Sequence, residues 1–319
     1  MKLYLRKALV LIGPLALCYL LATTDWHAVS SLIKKGNKML FLLAVCSIIP
    51  TVFFRALRWR LLARNETTLS LSEAISIYSY GIFVGVATPG RLGELIKIAH
   101  LKNRGVETVP ATSITIVDRL FDMAALLFFG CLAIPTFAPD ILYANTSYPS
   151  SKVSLMLLLG GGVLTLFSIF FILNYFRKYL LRSKRLTRIY ETLEKSLNCL
   201  SIKSASVATL LTIVAWLLNY LAFYLANLSL NLGFSFIEIS SMAAISSFIA
   251  LLPISTMGIG TRDAALVWLL AKQGIPKEHA LLLSFSFLSL SLLLGLICGL
   301  SLFSRAARLN RTVAPIRTT

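Results

Sequence analysis

Long apolar runs recur along this chain from end to end, several of them reaching the ~18 residues that a helix needs to cross about 30 Å of hydrocarbon. Six segments read as full spans: 8–23, 39–62, 110–137, 153–175, 205–230 and 278–303. No single water-soluble core can bury that many. Composition agrees, because only 14% of the residues are charged where soluble domains carry roughly 25%. The expected class is all-α, a polytopic membrane protein. The first run follows Lys2, Arg6 and Lys7 but lacks a small-x-small cleavage site, so it reads as the first helix rather than a signal peptide.

Two other stretches are apolar but interrupted. The first, 71–105, breaks at Ala87-Thr88-Pro89-Gly90, and the second, 237–274, breaks between Ile254 and Gly260. Each arm is short for a span, whereas a pair of arms suits a hairpin that enters the membrane and returns. Irregular backbone at that depth needs protein or a water-filled cavity to satisfy its polar groups. The chain thus reads as one transmembrane domain over 1–319, with six full transmembrane helices plus two re-entrant helical hairpins. Each half holds two spans, a hairpin and a third span. Three crossings per half make this an inverted repeat, approximately 8–137 and 153–303, joined by a cytoplasmic connection 176–204. A shift of 169 positions superimposes Glu94 on Asp263, Gly105 on Gly274 and Val106 on Ile275.

The formal net charge of +18 would suggest nucleic acid in a soluble protein. Here the Lys and Arg residues cluster in short loops, where they set topology and meet anionic headgroups, so no nucleic-acid partner is expected. Their distribution puts both termini in the cytoplasm of a bacterial inner (plasma) membrane. Cys18, Cys46, Cys131, Cys199 and Cys298 are scattered, and His27, His100 and His279 lie in separate segments. Neither set has metal-ligand or disulfide spacing. No nucleophile elbow or P-loop is present, so neither a cofactor nor an ATP-driven step is expected.

The candidate site residues lie at the breaks and on the third span. Pro89 and Gly90 end the first arm, and Gly93 lies just beyond. The new helix start offers free backbone N–H groups to an anion, with Arg91 beside it and Glu94 in its first turn. The second break repeats the plan as Gly258-Ile259-Gly260-Thr261-Arg262-Asp263, with Thr261 a candidate N-cap. In the third span, Asp118 and Asp122 share a face and Arg119 can reach Asp122. These three are read either as an ion-pair latch against the first hairpin or as part of a substrate path. Arg55, in Phe53-Phe54-Arg55-Ala56-Leu57-Arg58-Trp59, reads as an interfacial snorkelling cation, with Arg58 and Arg60 as neighbours of the same kind.

These blocks resemble the lysylphosphatidylglycerol synthetase transmembrane region, a flippase-like family also called UPF0104. The resemblance rests on Arg55-Ala56-Leu57-Arg58-Trp59, Pro89-Gly90-Arg91-Leu92-Gly93-Glu94, Asp118-Arg119-Leu120-Phe121-Asp122, Leu252-Pro253-Ile254-Ser255 and Gly258 to Ala265. It covers nearly the whole chain, without the soluble synthetase domain of some relatives. Departures are Met257 for a glycine, Asp263 for a glutamate, and no arginine in the final span. The resemblance implies translocation of a polar- or anionic-headed lipid, a phospholipid or polyprenyl-phosphate glycolipid, between leaflets. Arg91, Arg119 and Arg262 would then hold the headgroup, oriented by Glu94, Asp118, Asp122 and Asp263. Two other readings stay open. One is a membrane-embedded lipid-modifying transferase using Asp118 and Asp122. The other is an accessory subunit that partners cell-envelope biosynthesis enzymes.

Overall fold

The computed structural model describes residues 18–88, 93–131, 202–251, 258–271 and 274–312. Among them every regular element is helical. In chain order these are α1 (Trp26–Lys35), α2 (Lys38–Ile48), α3 (Pro50–Ala63), α4 (Leu71–Ala87), α5 (Ile96–Asn103), α6 (Thr108–Cys131), α7 (Ile202–Ser229), α8 (Phe236–Leu251), α9 (Thr261–Ala271) and α10 (Lys277–Thr312). Most of the expected first span, the whole of 153–175 and the connection up to residue 201 lie outside the described residues.

Three stretches are long and apolar enough to cross a membrane: Lys38–Ala63, Lys203–Ser229 and Lys277–Leu302. The first is α2 and α3 end to end, with Pro50 at the first position of α3. Proline there has no N–H to lose, so it marks the junction without ending the run. The fourth long helix, α6, has 24 residues, enough for a span by length, but carries Asp118, Arg119 and Asp122. The outer surface is apolar: Val207, Leu210, Ile213 and Leu217 form an exposed stripe on α7, and Leu296 and Leu300 do so on α10. A surface of that kind suits lipid rather than water.

Small residues let the long helices approach. Ala44, Ala56 and Ala63 on α2–α3, and Ala208, Ala215, Ala222 and Ala226 on α7, are fully buried, and these helices form the largest interface of the bundle. The α4–α10 contact uses Gly295 and Gly299, where an added Cβ would lie 2.8 Å from Val86 and 2.7 Å from Phe83.

The arm α4 lies against α10, and the arm α8 lies against α6; α3 and α7 pack on each other. Local signals repeat. Ser70 caps α4 by accepting from the Glu73 N–H, and Ser235 does the same for Glu238 at α8. The second arms, α5 and α9, end alike. Gly105 (φ 84°) and Gly274 (φ 72°) adopt left-handed backbone, and Val106 and Ile275 N–H groups donate to Leu101 and Leu270 carbonyls, each at 3.1 Å. Those pairs are again 169 residues apart, and the two helix ends share one backbone geometry.

One helix was not legible as an expected element. The link between the first two spans, read as a plain loop, forms α1. Asp25 caps it by accepting from His27 and Ala28 N–H groups, and Lys34 and Lys35 occupy its last turn.

Candidate functional site

Both interrupted stretches are broken helices. In the first, α4 ends at Ala87 and the backbone resumes as a tight turn over 93–95 before α5. The Thr88 hydroxyl donates to the Val84 carbonyl at 3.1 Å and accepts from the Gly93 N–H at 2.8 Å. A Cβ on Gly93 would meet the backbone of Val84 and Gly85 at 2.5 Å, so glycine alone lets the arms touch. Pro89, Gly90 and Arg91 lie outside the described residues. In the second, Gly258 (φ 75°) and Gly260 (φ 82°) are both left-handed, which only glycine adopts freely. Thr261 begins α9 rather than capping it. Asp263, in the first turn of α9, reaches back and accepts from the Gly260 N–H at 2.8 Å.

The charged residues form two buried groups. The larger centres on Arg58 of α3, which is fully buried. Its Nε donates to Asp118 at 2.8 Å, and its two terminal nitrogens grip Asp122 at 3.0 and 2.9 Å. Thr212 accepts a further bond at 2.9 Å, and Trp216 donates to Asp122 at 3.2 Å. Lys97 of α5, also fully buried, donates to the second oxygen of Asp118 at 2.8 Å and lies 3.7 Å over the Tyr78 ring. The bidentate guanidinium–carboxylate fork makes this a rigid junction of α3, α5, α6 and α7.

Three expectations change here. Arg58 is no snorkelling surface cation; its carboxylate partners lie one helix away and draw it into the protein. Arg119 does not pair with Asp122, which Arg58 already occupies; it pairs with Glu94 at 2.8 Å. Lys97, given no role in the sequence reading, completes the charge balance of the cluster. Asp118–Lys97 and Glu94–Arg119 together tie α6 to the first hairpin, as a latch would.

The second group is Arg262 with Asp263, at 2.9 Å. Arg262 also donates to the Ser284 carbonyl at 3.2 Å, and the Ser284 hydroxyl donates to Asp263. Ser284 was read only as part of an uncharged span, yet its hydroxyl and carbonyl are what hold the pair against α10.

Between the groups lies a cavity of about 60 Å³ of water-accessible space, with Arg55, Glu94, Trp216, Asn219, Ser246 and Arg262 among its walls. A smaller one of about 30 Å³ adjoins it, sharing Arg55, Glu94, Trp216 and Ser247 and reaching Arg119 and Asp122. Of the predicted site residues that are described, Glu94, Arg119, Asp122 and Arg262 border this space and Asp263 holds Arg262, whereas Asp118 is set behind it with Arg58 and Lys97. Among the described residues no group of three or more His, Cys, Asp or Glu side chains is arranged to hold a metal ion.

The family profile of the lysylphosphatidylglycerol synthase TM region matches residues 7–299. The chain belongs to that family. Among curated relatives of this family member is the UPF0104 membrane protein MJ1078 of Methanocaldococcus jannaschii, 26% identical over 206 residues, covering 62% of this chain and 83% of the relative. Another is the UPF0104 membrane protein MJ1595 of the same organism, 22% identical over 303 residues, covering 88% and 89%. The matched region of the family includes both broken helices and the whole buried charge network.

Proposed function

We propose that this protein carries a polar- or anionic-headed lipid, a phospholipid or a polyprenyl-phosphate glycolipid, between membrane leaflets. The observation that carries this reading is the polar cavity walled by both broken helices and by helices of both halves. Moving a headgroup through about 30 Å of hydrocarbon is slow because its charge and hydrogen bonds find no partners there. A polar cavity between two broken helices supplies those partners along the way. Charged side chains inside an apolar bundle are costly and tend to mark such paths.

At about 60 Å³ the cavity has room for a few waters and none for a headgroup, since one water needs about 10–15 Å³. The described conformation is thus a closed one, and passage requires the two halves to part alternately toward each leaflet. In this reading the two halves are inverted repeats, the broken helices are re-entrant hairpins, and both termini face the cytoplasm of the plasma membrane. The reading is of a transporter rather than an enzyme: Asp118 and Asp122 are engaged by Arg58 and Lys97, which favours the latch over a catalytic carboxylate pair.

Ser247 lines both cavities, so Ser247→Phe is expected to plug the route while leaving the ion pairs intact. In vesicles with fluorescent phospholipid analogues, wild type should accelerate leaflet exchange and Ser247→Phe should fall toward the protein-free rate. Equal exchange by both proteins, or no acceleration by wild type, would remove the cavity from the mechanism.

A further inference from the structure

We propose that Arg55 is the residue that binds the phosphodiester of the transported lipid, a role that rests on the cavity reading above and narrows its substrate class. Arg119 and Arg262, the arginines first suggested by the hairpin and third-span motifs, are already matched by Glu94 and Asp263. Arg55 is different. It borders both cavities, and among the described residues it has no ion pair. Its Nε is buried without a hydrogen-bond partner. Its guanidinium carbon lies 4.9 Å from the centre of the Trp216 ring, a cation–π contact that uses none of the hydrogen-bonding capacity of the N–H groups.

The charge inventory points the same way. The two groups and the cavity walls contain five cations (Arg55, Arg58, Lys97, Arg119, Arg262) and four anions (Glu94, Asp118, Asp122, Asp263), a surplus of one positive charge among the described residues. A surplus positive charge in a partly desolvated site is unfavourable, and a bound monoanion removes the imbalance. A phosphodiester carries one negative charge and two free oxygens, which the guanidinium fork accepts side by side. Asn219, Ser246 and Ser247 line the same space and supply neutral donors for the rest of a headgroup. Because the cavity is small in the closed conformation, the phosphodiester would enter as the halves part, with Arg55 on the wall that α3 presents.

The removal of Arg55 breaks no ion pair among the described residues, so Arg55→Gln should stay close to the wild-type thermal midpoint without ligand. Binding should change. Purified full-length protein in detergent would be titrated calorimetrically with dihexanoyl phosphatidylglycerol, with a short-chain isoprenyl phosphoglycoside, and with dihexanoylglycerol, which lacks the phosphate. Wild type is expected to bind at least one of the first two and not the third. Arg55→Gln should bind at least about tenfold more weakly, the loss of a charge-assisted hydrogen bond. Arg55→Lys should recover part of that loss, because it restores the charge without the fork. Whichever phosphodiester binds identifies the lipid class. Equal binding by wild type and Arg55→Gln would overturn the role of Arg55 while leaving the cavity reading in place. Failure of wild type to bind either phosphodiester, or equal binding of dihexanoylglycerol, would overturn both. Should Arg55→Gln lose its fold, the wild-type comparison with Arg55→Lys decides the matter, and identical affinities there sink the proposal.

Discussion

Arg58→Met is expected to destabilise the protein by about 3–5 kcal/mol, the loss typical of removing one partner from a buried ion pair. Arg58 has no exposed surface, and neither does Asp118. Met fills much of the volume of the arginine stem, so the loss comes from charge rather than from an empty space. Asp118 keeps Lys97 and a long 3.5 Å bond from Tyr78. Asp122 keeps the Trp216 N–H and loses the guanidinium fork that held it at contact distance. The thermal midpoint in detergent, followed by tryptophan fluorescence, should drop sharply. A second substitution sharpens the test. Arg58→Met combined with Asp122→Asn removes one charge of each sign and leaves Lys97 with Asp118, so it should regain a good part of the lost stability. If the single variant melts like wild type, or the double variant is worse than the single, the cluster is not the junction described.

Gly93→Ala is expected to have the second large effect, on function as well as stability. The new Cβ would sit 2.5 Å from the Gly85 nitrogen and the Val84 carbonyl carbon. Those are backbone atoms, which cannot rotate out of the way as a side chain would. The arms of the first hairpin must therefore separate, breaking the Gly93–Thr88 hydrogen bond of 2.8 Å and shifting Glu94 from Arg119. Overpacking of this kind costs about 1–3 kcal/mol, and leaflet exchange should fall to a small fraction of the wild-type rate. Gly105→Ala is the informative comparison. A Cβ there meets nothing within 4 Å, so its only penalty is the left-handed φ of 84°, about 1–2 kcal/mol. It should lose some stability and retain exchange. Similar exchange rates for Gly93→Ala and wild type would mean that the tight closure of the hairpin is irrelevant to transport.

The contrast between these two glycines reflects what a sequence can and cannot disclose. Gly105 and Gly274 follow the last apolar residue of a short arm at matching positions, and both terminate helices as such placement implies. Ser70 with Glu73 and Ser235 with Glu238 are local caps of the same kind, visible as a serine followed three residues later by glutamate. Gly295 and Gly299 were equally visible as a pair four apart, but only α4, more than two hundred residues earlier in the chain, gives that spacing its purpose. Gly93 looked like one hinge glycine among several, and its stringency comes from Val84 and Gly85 crossing over it.

The charges divide in the same way. Their presence in apolar neighbourhoods marked Glu94, Asp118, Arg119, Asp122, Arg262 and Asp263 from the outset, because desolvation makes such residues conspicuous. Their partners did not follow. Within α6, helical spacing favours Arg119 with Asp122, yet Arg58, 64 positions away, takes that carboxylate because α3 packs directly on α6. Glu94, across the hairpin, then receives Arg119.

Hydropathy and composition alone thus determined that this is a helical membrane protein with two interrupted elements, since burial of apolar length and helix termination are local matters of side-chain chemistry. Which carboxylate neutralises which arginine, and which of the arginines border the cavities, was decided only by tertiary structure, because ion pairs between helices depend on how those helices are placed against one another, and no spacing along one helix encodes that placement.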